Sequence, residues 1–229
     1  AVNQGRRVPC FVKGTDMFDN AFVGISSMEA LAMDPQQRVL LEAPHDALAD
    51  AQMPKSTPMH SNAAVLVGPA NTDWIQKQSW DLKKMNSYTA TGMSASILAA
   101  HISYVLGLKG ASFLMDTARS AAPVAPDVAA LTVRRTRCLA DVNPAANIMV
   151  SPSTYISFSK SRMPSPSSRC LTFDHSTYGY CRGKGAGAAV LRRIPDLGNT
   201  CRAMLRDSQV NHDGRSSTLT APNLSLIPL

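Results

Sequence analysis

Asp116-Thr117-Ala118-Arg119-Ser120 is a polar loop between two apolar segments of different kind. Ahead of it, Ala111-Ser112-Phe113-Leu114-Met115 reads as a short strand running into Asp116. Behind it, Ser120-Ala121-Ala122-Pro123-Val124-Ala125-Pro126 carries two prolines within two turns, which one regular helix starting at Arg119 does not accommodate. The expectation is a helix within Val124 to Cys138 that begins near Pro126, since proline suits a first helical position. A strand, a turn and a helix in this order make a unit of an α/β sheet.

Working outward, the same alternation continues on both sides. Gly107-Leu108-Lys109-Gly110 turns the chain, and Tyr88 to Leu106 reads as one helix rich in Ala, Ser, Ile and Leu. Ala63-Ala64-Val65-Leu66-Val67-Gly68 is a buried strand closed by glycine. Asp34-Pro35-Gln36-Gln37 starts another helix: Asp34 can cap, Pro35 suits the first position, and Gln37 stands where a capping-box partner belongs. Leu40, Leu41, Ala47, Leu48 and Ala51 give it an apolar face, and Pro44 predicts a kink or an early stop. Downstream, strands are expected at Ala145 to Val150 (stopped by Ser151-Pro152), at Ala188 to Arg192 and at Cys201 to Ser208. Ser161 to Ser168 is a Ser/Pro loop.

Composition narrows the function classes. Of 229 residues 45% are apolar, enough to bury a core, and no apolar run approaches the roughly 18 residues of a membrane span. An integral membrane protein is therefore not expected, and the first residues lack the apolar centre of a secretory signal. The reading is an intracellular protein, of the cytoplasm or of an organelle such as a plastid. Five cysteines (Cys10, Cys138, Cys170, Cys181, Cys201) form no C-x-x-C pair and no zinc spacing, so no metal site is expected. Gly183, Gly185 and Gly187 resemble a phosphate cradle only superficially, because they precede a strand rather than open a helix. Close backbone packing accounts for them better, and no cofactor is expected. The net charge of +7 favours acidic partners or surfaces. Its clusters, Arg134-Arg135-Arg137 and Arg192-Arg193, carry no interleaved aromatics, which argues against nucleic acid.

Several segments together resemble the ketosynthase domain of type I polyketide and fatty acid synthases, the β-ketoacyl synthases of the thiolase-like superfamily. They are Phe18-Asp19-Asn20-Ala21-Phe22-Val23-Gly24-Ile25-Ser26, Met33-Asp34-Pro35-Gln36-Gln37-Arg38, Thr91-Gly92, Ile102-Ser103-Tyr104 and the turn at Gly107. Arg169-Cys170, Phe173-Asp174, Gly179-Tyr180, Arg182-Gly183-Lys184-Gly185, Val210-Asn211-His212-Asp213-Gly214-Arg215-Ser216 and Leu219-Thr220-Ala221-Pro222-Asn223 follow in the family's order. The resemblance runs over about 18–223 and implies a single incomplete domain, residues 1–229, truncated and degenerate. The implied fold is α/β: a partial thiolase-like fold, a mixed sheet with helices packed on its faces.

The resemblance also implies a chemistry that this chain alters. The family takes an acyl group on a cysteine thiolate at a helix N-terminus, where the dipole favours the charged form. Arg119 occupies that position here, and a guanidinium stays protonated and is no nucleophile. Its charge meets the positive end of the same dipole, so an acidic partner or a different loop geometry should compensate. Ser120 lacks the adjacent base a serine nucleophile needs. The family's two histidine motifs, His-Gly-Thr-Gly-Thr and Asn-x-x-Gly-His, lie beyond the point where the chain stops, and His45, His60, His101, His175 and His212 match neither of them. Lys184 replaces the usual glutamate, and Pro144 would suit only the edge or the end of a strand.

No catalytic residue is therefore assigned. The expected role is that of a catalytically inactive ketosynthase-like protein, a structural or accessory subunit of a larger assembly with one or more protein partner chains. An acidic protein or lipid surface is a possible neighbour. The alternative is a fragment of a β-ketoacyl synthase in fatty acid or polyketide biosynthesis, an acyl-thioester condensing enzyme. On either reading Arg119 blocks acyl loading, and it is the trace of a decayed site or a new clamp for a carrier's phosphate.

Overall fold

The computed structural model describes residues 14–53, 59–71, 73–78, 82–135, 138–176, 178–196, 201–212 and 214–218. Cys10, Arg137, Asp213 and the stretch from Leu219 to Asn223 lie outside the described residues. The elements run α1 (Asn20–Val23), α2 (Ser27–Ala32), α3 (Pro35–Asp50), β1 (Ala64–Pro69), α4 (Asp73–Gln78), α5 (Thr89–Met93), α6 (Ile97–Leu106) and β2 (Ser112–Leu114). They continue with α7 (Ala121–Arg134), β3 (Asp141–Asn147), α8 (Pro152–Lys160) and β4 (Gly185–Leu191).

The strands form one sheet in the order β2-β1-β3-β4. β1 is parallel to both β2 and β3, while β4 runs antiparallel to β3 and covers its other edge. Every residue of β1 is buried, as a strand between two helical layers requires. Successive side chains alternate between the faces. Val65 and Val67 join Leu40, Leu41, Leu98, Ile102 and Leu106 on the side of α3 and α6. Ala64 and Leu66 join Ala125, Ala129 and Val133 of α7 on the other side.

Asp34 caps α3 as expected, its carboxylate accepting from Gln36 N at 2.7 Å. Gln37 does not close a capping box. It is buried and turned across the helix layer, where its Nε2 donates to Thr91 O at 3.0 Å. Nor does Pro44 stop the helix, which continues to Asp50. Proline there forfeits one backbone bond, but Pro44 is itself fully buried, on a helix that also buries Leu40, Leu41 and Leu48, and that packing outweighs the loss.

Three further expectations are corrected. The helix read over Tyr88 to Leu106 is two helices, α5 and α6, broken at Ser94 in extended conformation. Pro144 lies inside the sheet, on β3 opposite Ala188, with the β1 register given on either side of it by Val142↔Val65 and Ala145↔Gly68. Cys201 to Ser208 is exposed and forms no strand. Its anchors are side chains and single carbonyls: Arg202 pairs with Asp50, and Arg134 donates to Arg206 O at 2.9 Å. A β-prone run makes a strand only where an edge is offered to it.

Gln36 ties three elements together. Its Nε2 donates to Asn71 O at 2.6 Å beyond β1, and its Oε1 accepts from Ile148 N at 3.3 Å beyond β3. Gln36→Leu should therefore leave a carbonyl and an N–H unpaired in the interior and lower stability by about 2–4 kcal/mol. A fall in the urea midpoint with an unchanged slope is the expected reading.

Candidate ketosynthase-type nucleophile turn

The polar loop after β2 folds into a single 3₁₀ turn, Ala118–Ser120, and α7 starts directly at Ala121. The helix thus begins five residues before the expected Pro126. Pro123 is the third residue of the helix, where the N–H would have had no partner in any case, so only Pro126 forfeits an intrahelical bond. Asp116 shapes the turn by accepting from Ala118 N at 2.8 Å, and Ala118 adopts a left-handed φ of 56°. Ser120 spends its hydroxyl on Thr117, donating to the carbonyl at 2.8 Å.

Arg119 is exposed at the mouth of a groove of about 780 Å³ between α7, α8 and the β3–β4 edge of the sheet. Among the described residues lining this groove there is no carboxylate to compensate its charge. Its guanidinium carbon lies 4.2 Å from the centre of the Tyr180 ring and 5.7 Å from that of Phe158. Nη2 donates to Tyr180 Oη at 2.5 Å. Arg182 stacks on Phe158 as well, at 4.6 Å, and reaches Tyr155 at 5.5 Å. Two cations are thus held on the negative faces of a shared aromatic cluster, each such contact contributing about 0.5–2 kcal/mol.

The sequence points to Arg119 and Arg182 but not to the rings that hold them. Phe158 and Tyr155 come from α8, a helix that stays hidden when Ser151-Pro152 is taken only as a strand stop. The pair is also a start signal: the Ser151 hydroxyl accepts from Ser153 N at 3.2 Å, and Pro152 is the first helical residue.

The glycine run behaves differently from expectation. Gly185 and Gly187 lie within β4, and a Cβ at either would meet nothing within 4 Å. Close packing inside the described residues does not explain them; both line the open groove. The histidines sit away from it. His101 joins Gln37 at 3.2 Å through Nδ1 and Glu29 at 3.3 Å through Nε2. His212 accepts from Gly214 N at 2.9 Å, and His175 is exposed beside Asp174. Among the described residues no group of three His, Cys, Asp or Glu could hold a metal ion, and no helix is long and apolar enough to cross a membrane.

Residues 2–196 match the family model described as "Beta-ketoacyl synthase, N-terminal domain". The chain belongs to the β-ketoacyl synthase family. Tenellin synthetase of Beauveria bassiana is 40% identical over 209 residues, which are 90% of this chain and 5% of that protein. A phenolphthiocerol/phthiocerol polyketide synthase of Mycobacterium tuberculosis is 39% identical over 213 residues, 91% of this chain and 10% of its own. The ketosynthase from module 6 of the bacillaene synthase of Bacillus subtilis 168 superposes with a TM-score of 0.77 at 28% identity, over 93% of this chain and 36% of that one. The chain therefore carries part of a ketosynthase fold of the type found in polyketide synthases, a mixed sheet with helices on its faces, and spans a small part of the relatives it matches.

Burial raises several carboxyls in this β-ketoacyl synthase domain, Asp141 and Asp34 most of all. Asp141, at the start of β3, is fully buried and its pKa is pushed up to about 7, against hydrogen bonds from Thr132 and Asn143 that favour the anion. Asp34 is raised to about 6, again chiefly by burial. The folded chain thus holds protons that the unfolded chain releases near pH 4. The stability these groups contribute is complete below pH 4 and declines as pH rises through about 6 and 7. We expect the urea midpoint to fall between pH 5 and pH 8, and Asp141→Asn to remove much of that slope.

Proposed function

We propose that this chain is a catalytically inactive ketosynthase-like protein that serves as a structural or accessory subunit of a larger assembly. The observation that carries the reading is Arg119. It stands at the turn before α7 where the family places its thiol, and its guanidinium is committed to Tyr180 and Phe158. A group that stays protonated cannot take an acyl chain from a thioester. The groove beside it, lined largely by Ala, Gly and aromatic carbon, supports a protein partner as its neighbour. Incubation with a labelled acyl-carrier thioester should leave the peptide around residue 119 unmodified. A covalent acyl adduct on that peptide would sink the proposal.

A second reading rests on a different observation, that the chain spans 5–14% of the length of the curated relatives it matches. It takes the chain as a piece of a β-ketoacyl synthase in fatty acid or polyketide biosynthesis. The open reading frame of the transcript separates the two. An intact His-Gly-Thr-Gly-Thr motif downstream of Asn223 favours the piece, and a stop codon soon after Leu229 favours the accessory role.

A further inference from the structure

The loop between α8 and β4 folds back on itself. Arg162, Ser168 and Leu171 adopt left-handed φ values of 55°, 55° and 46°. Pro164 bridges Tyr180, with Ser165 N donating to Tyr180 O at 2.9 Å and Tyr180 N to Met163 O at 3.3 Å. This fold-back lays Cys170 on the main chain of Cys181. The Cys181 N–H donates to Cys170 Sγ at 3.3 Å, and the Cys170 thiol lies 3.7 Å from the Cys181 carbonyl. At standard bond lengths a cysteine's sulfur is never more than about 4 Å from its own nitrogen, so the two sulfurs are within about 7.5 Å in any rotamer of Cys181.

The other described thiols are placed differently. Cys138 is buried, and burial pushes its thiol up, away from the reactive thiolate. Cys201 is exposed on the extended segment after β4, with its thiol 3.2 Å from Ala203 O. Cys170 is exposed and Cys181 half-buried, so an oxidant in solution reaches the first and the second is at hand to resolve it.

We propose that Cys170 and Cys181 form an oxidation site that closes into an intrachain disulfide, independent of the nucleophile turn. With hydrogen peroxide as the oxidant, the Cys170 thiolate attacks one peroxide oxygen, becomes a sulfenic acid and releases hydroxide. The Cys181 thiolate then attacks that sulfur, the S–S bond forms and a second hydroxide leaves. Two thiols have lost two protons and two electrons, and the peroxide has become two waters. The bond would staple the loop beside Tyr180, the residue that holds Arg119.

The test uses the native full-length chain exposed to hydrogen peroxide, alkylated with iodoacetamide and digested with trypsin. Cleavage after Arg169 and Arg182 releases both thiols on one peptide, Cys170 to Arg182. It should be about 2 Da lighter, unalkylated, and doubly alkylated once reduced. Chymotryptic cleavage after Phe173 should leave its two parts joined. In Cys181→Ser, Cys170 should carry a sulfenic acid or an alkyl group and no internal link. The native chain should form the link about tenfold faster than the chain in urea, because the fold raises the effective concentration of the pair. A peptide that takes two alkyl groups while Cys201 is already oxidised would overturn the proposal. So would equal rates in native and unfolded chains.

Discussion

Arg119→Cys is expected to yield a chain that still forms no condensation product from an acyl thioester and a malonyl carrier. The substitution returns a thiol to the 3₁₀ turn ahead of α7, where the helix dipole favours a thiolate. It also frees Tyr180 and Phe158 from the guanidinium they now hold. Nucleophilicity is only one part of the reaction. Decarboxylating an extender and stabilising the resulting charge needs acid–base groups within hydrogen-bond reach, and among the described residues lining the groove there is no histidine. Absence of that assistance costs about 10²–10⁴ in rate. The measurement pairs alkylation of the new thiol, which should succeed, with mass spectrometry of the products, which should show none. Measurable product would contradict the expectation and with it the view that position 119 is one of several losses.

Gly68→Val should be severely damaging to the fold. An ideal Cβ at Gly68 falls 2.6 Å from the carbonyl oxygen of Ala121 and 2.7 Å from its carbon. Both belong to the backbone that opens α7, so the helix must move away from β1. Loss of that packing is expected to destabilise the chain by about 3 kcal/mol or more and to displace the nucleophile turn with it. Gly187→Ala is the control: with nothing within 4 Å of its Cβ, it should shift stability by no more than about 0.5 kcal/mol. Thermal melts of the two variants beside the parent give the comparison. Equal losses would show that α7 does not seat on β1 through this contact.

The alternation of strands and helices was legible because its signals are local. Five apolar residues closed by glycine, Ala63 to Gly68, announce β1, and the Asp34-Pro35 pair opens α3 by capping and a preset φ. What failed depends on partners far away in sequence. Nothing near Pro144 says that β4 will flank it, and nothing within Cys201 to Ser208 says that no strand edge awaits it. Pro123 misled for a finer reason: a shift of a few residues in the helix start moves a proline from a forbidden position to a harmless one. At the site, Arg119 could be read directly from its place in the motif. Its setting could not, because Tyr180 reaches it through a loop that doubles back and Phe158 from α8.

The strand order has a consequence for how the chain is made. β1 is complete at Pro69, yet one of its two neighbours, β3, ends only at Asn147. At a synthesis rate of about 5–20 residues per second, an apolar strand waits roughly 4–16 s on the ribosome with an edge uncovered. During that interval its unpaired N–H and C=O groups can template pairing with another nascent chain. Expression yield should therefore respond to temperature and chaperone supply more steeply than the equilibrium stability of the finished sheet would suggest.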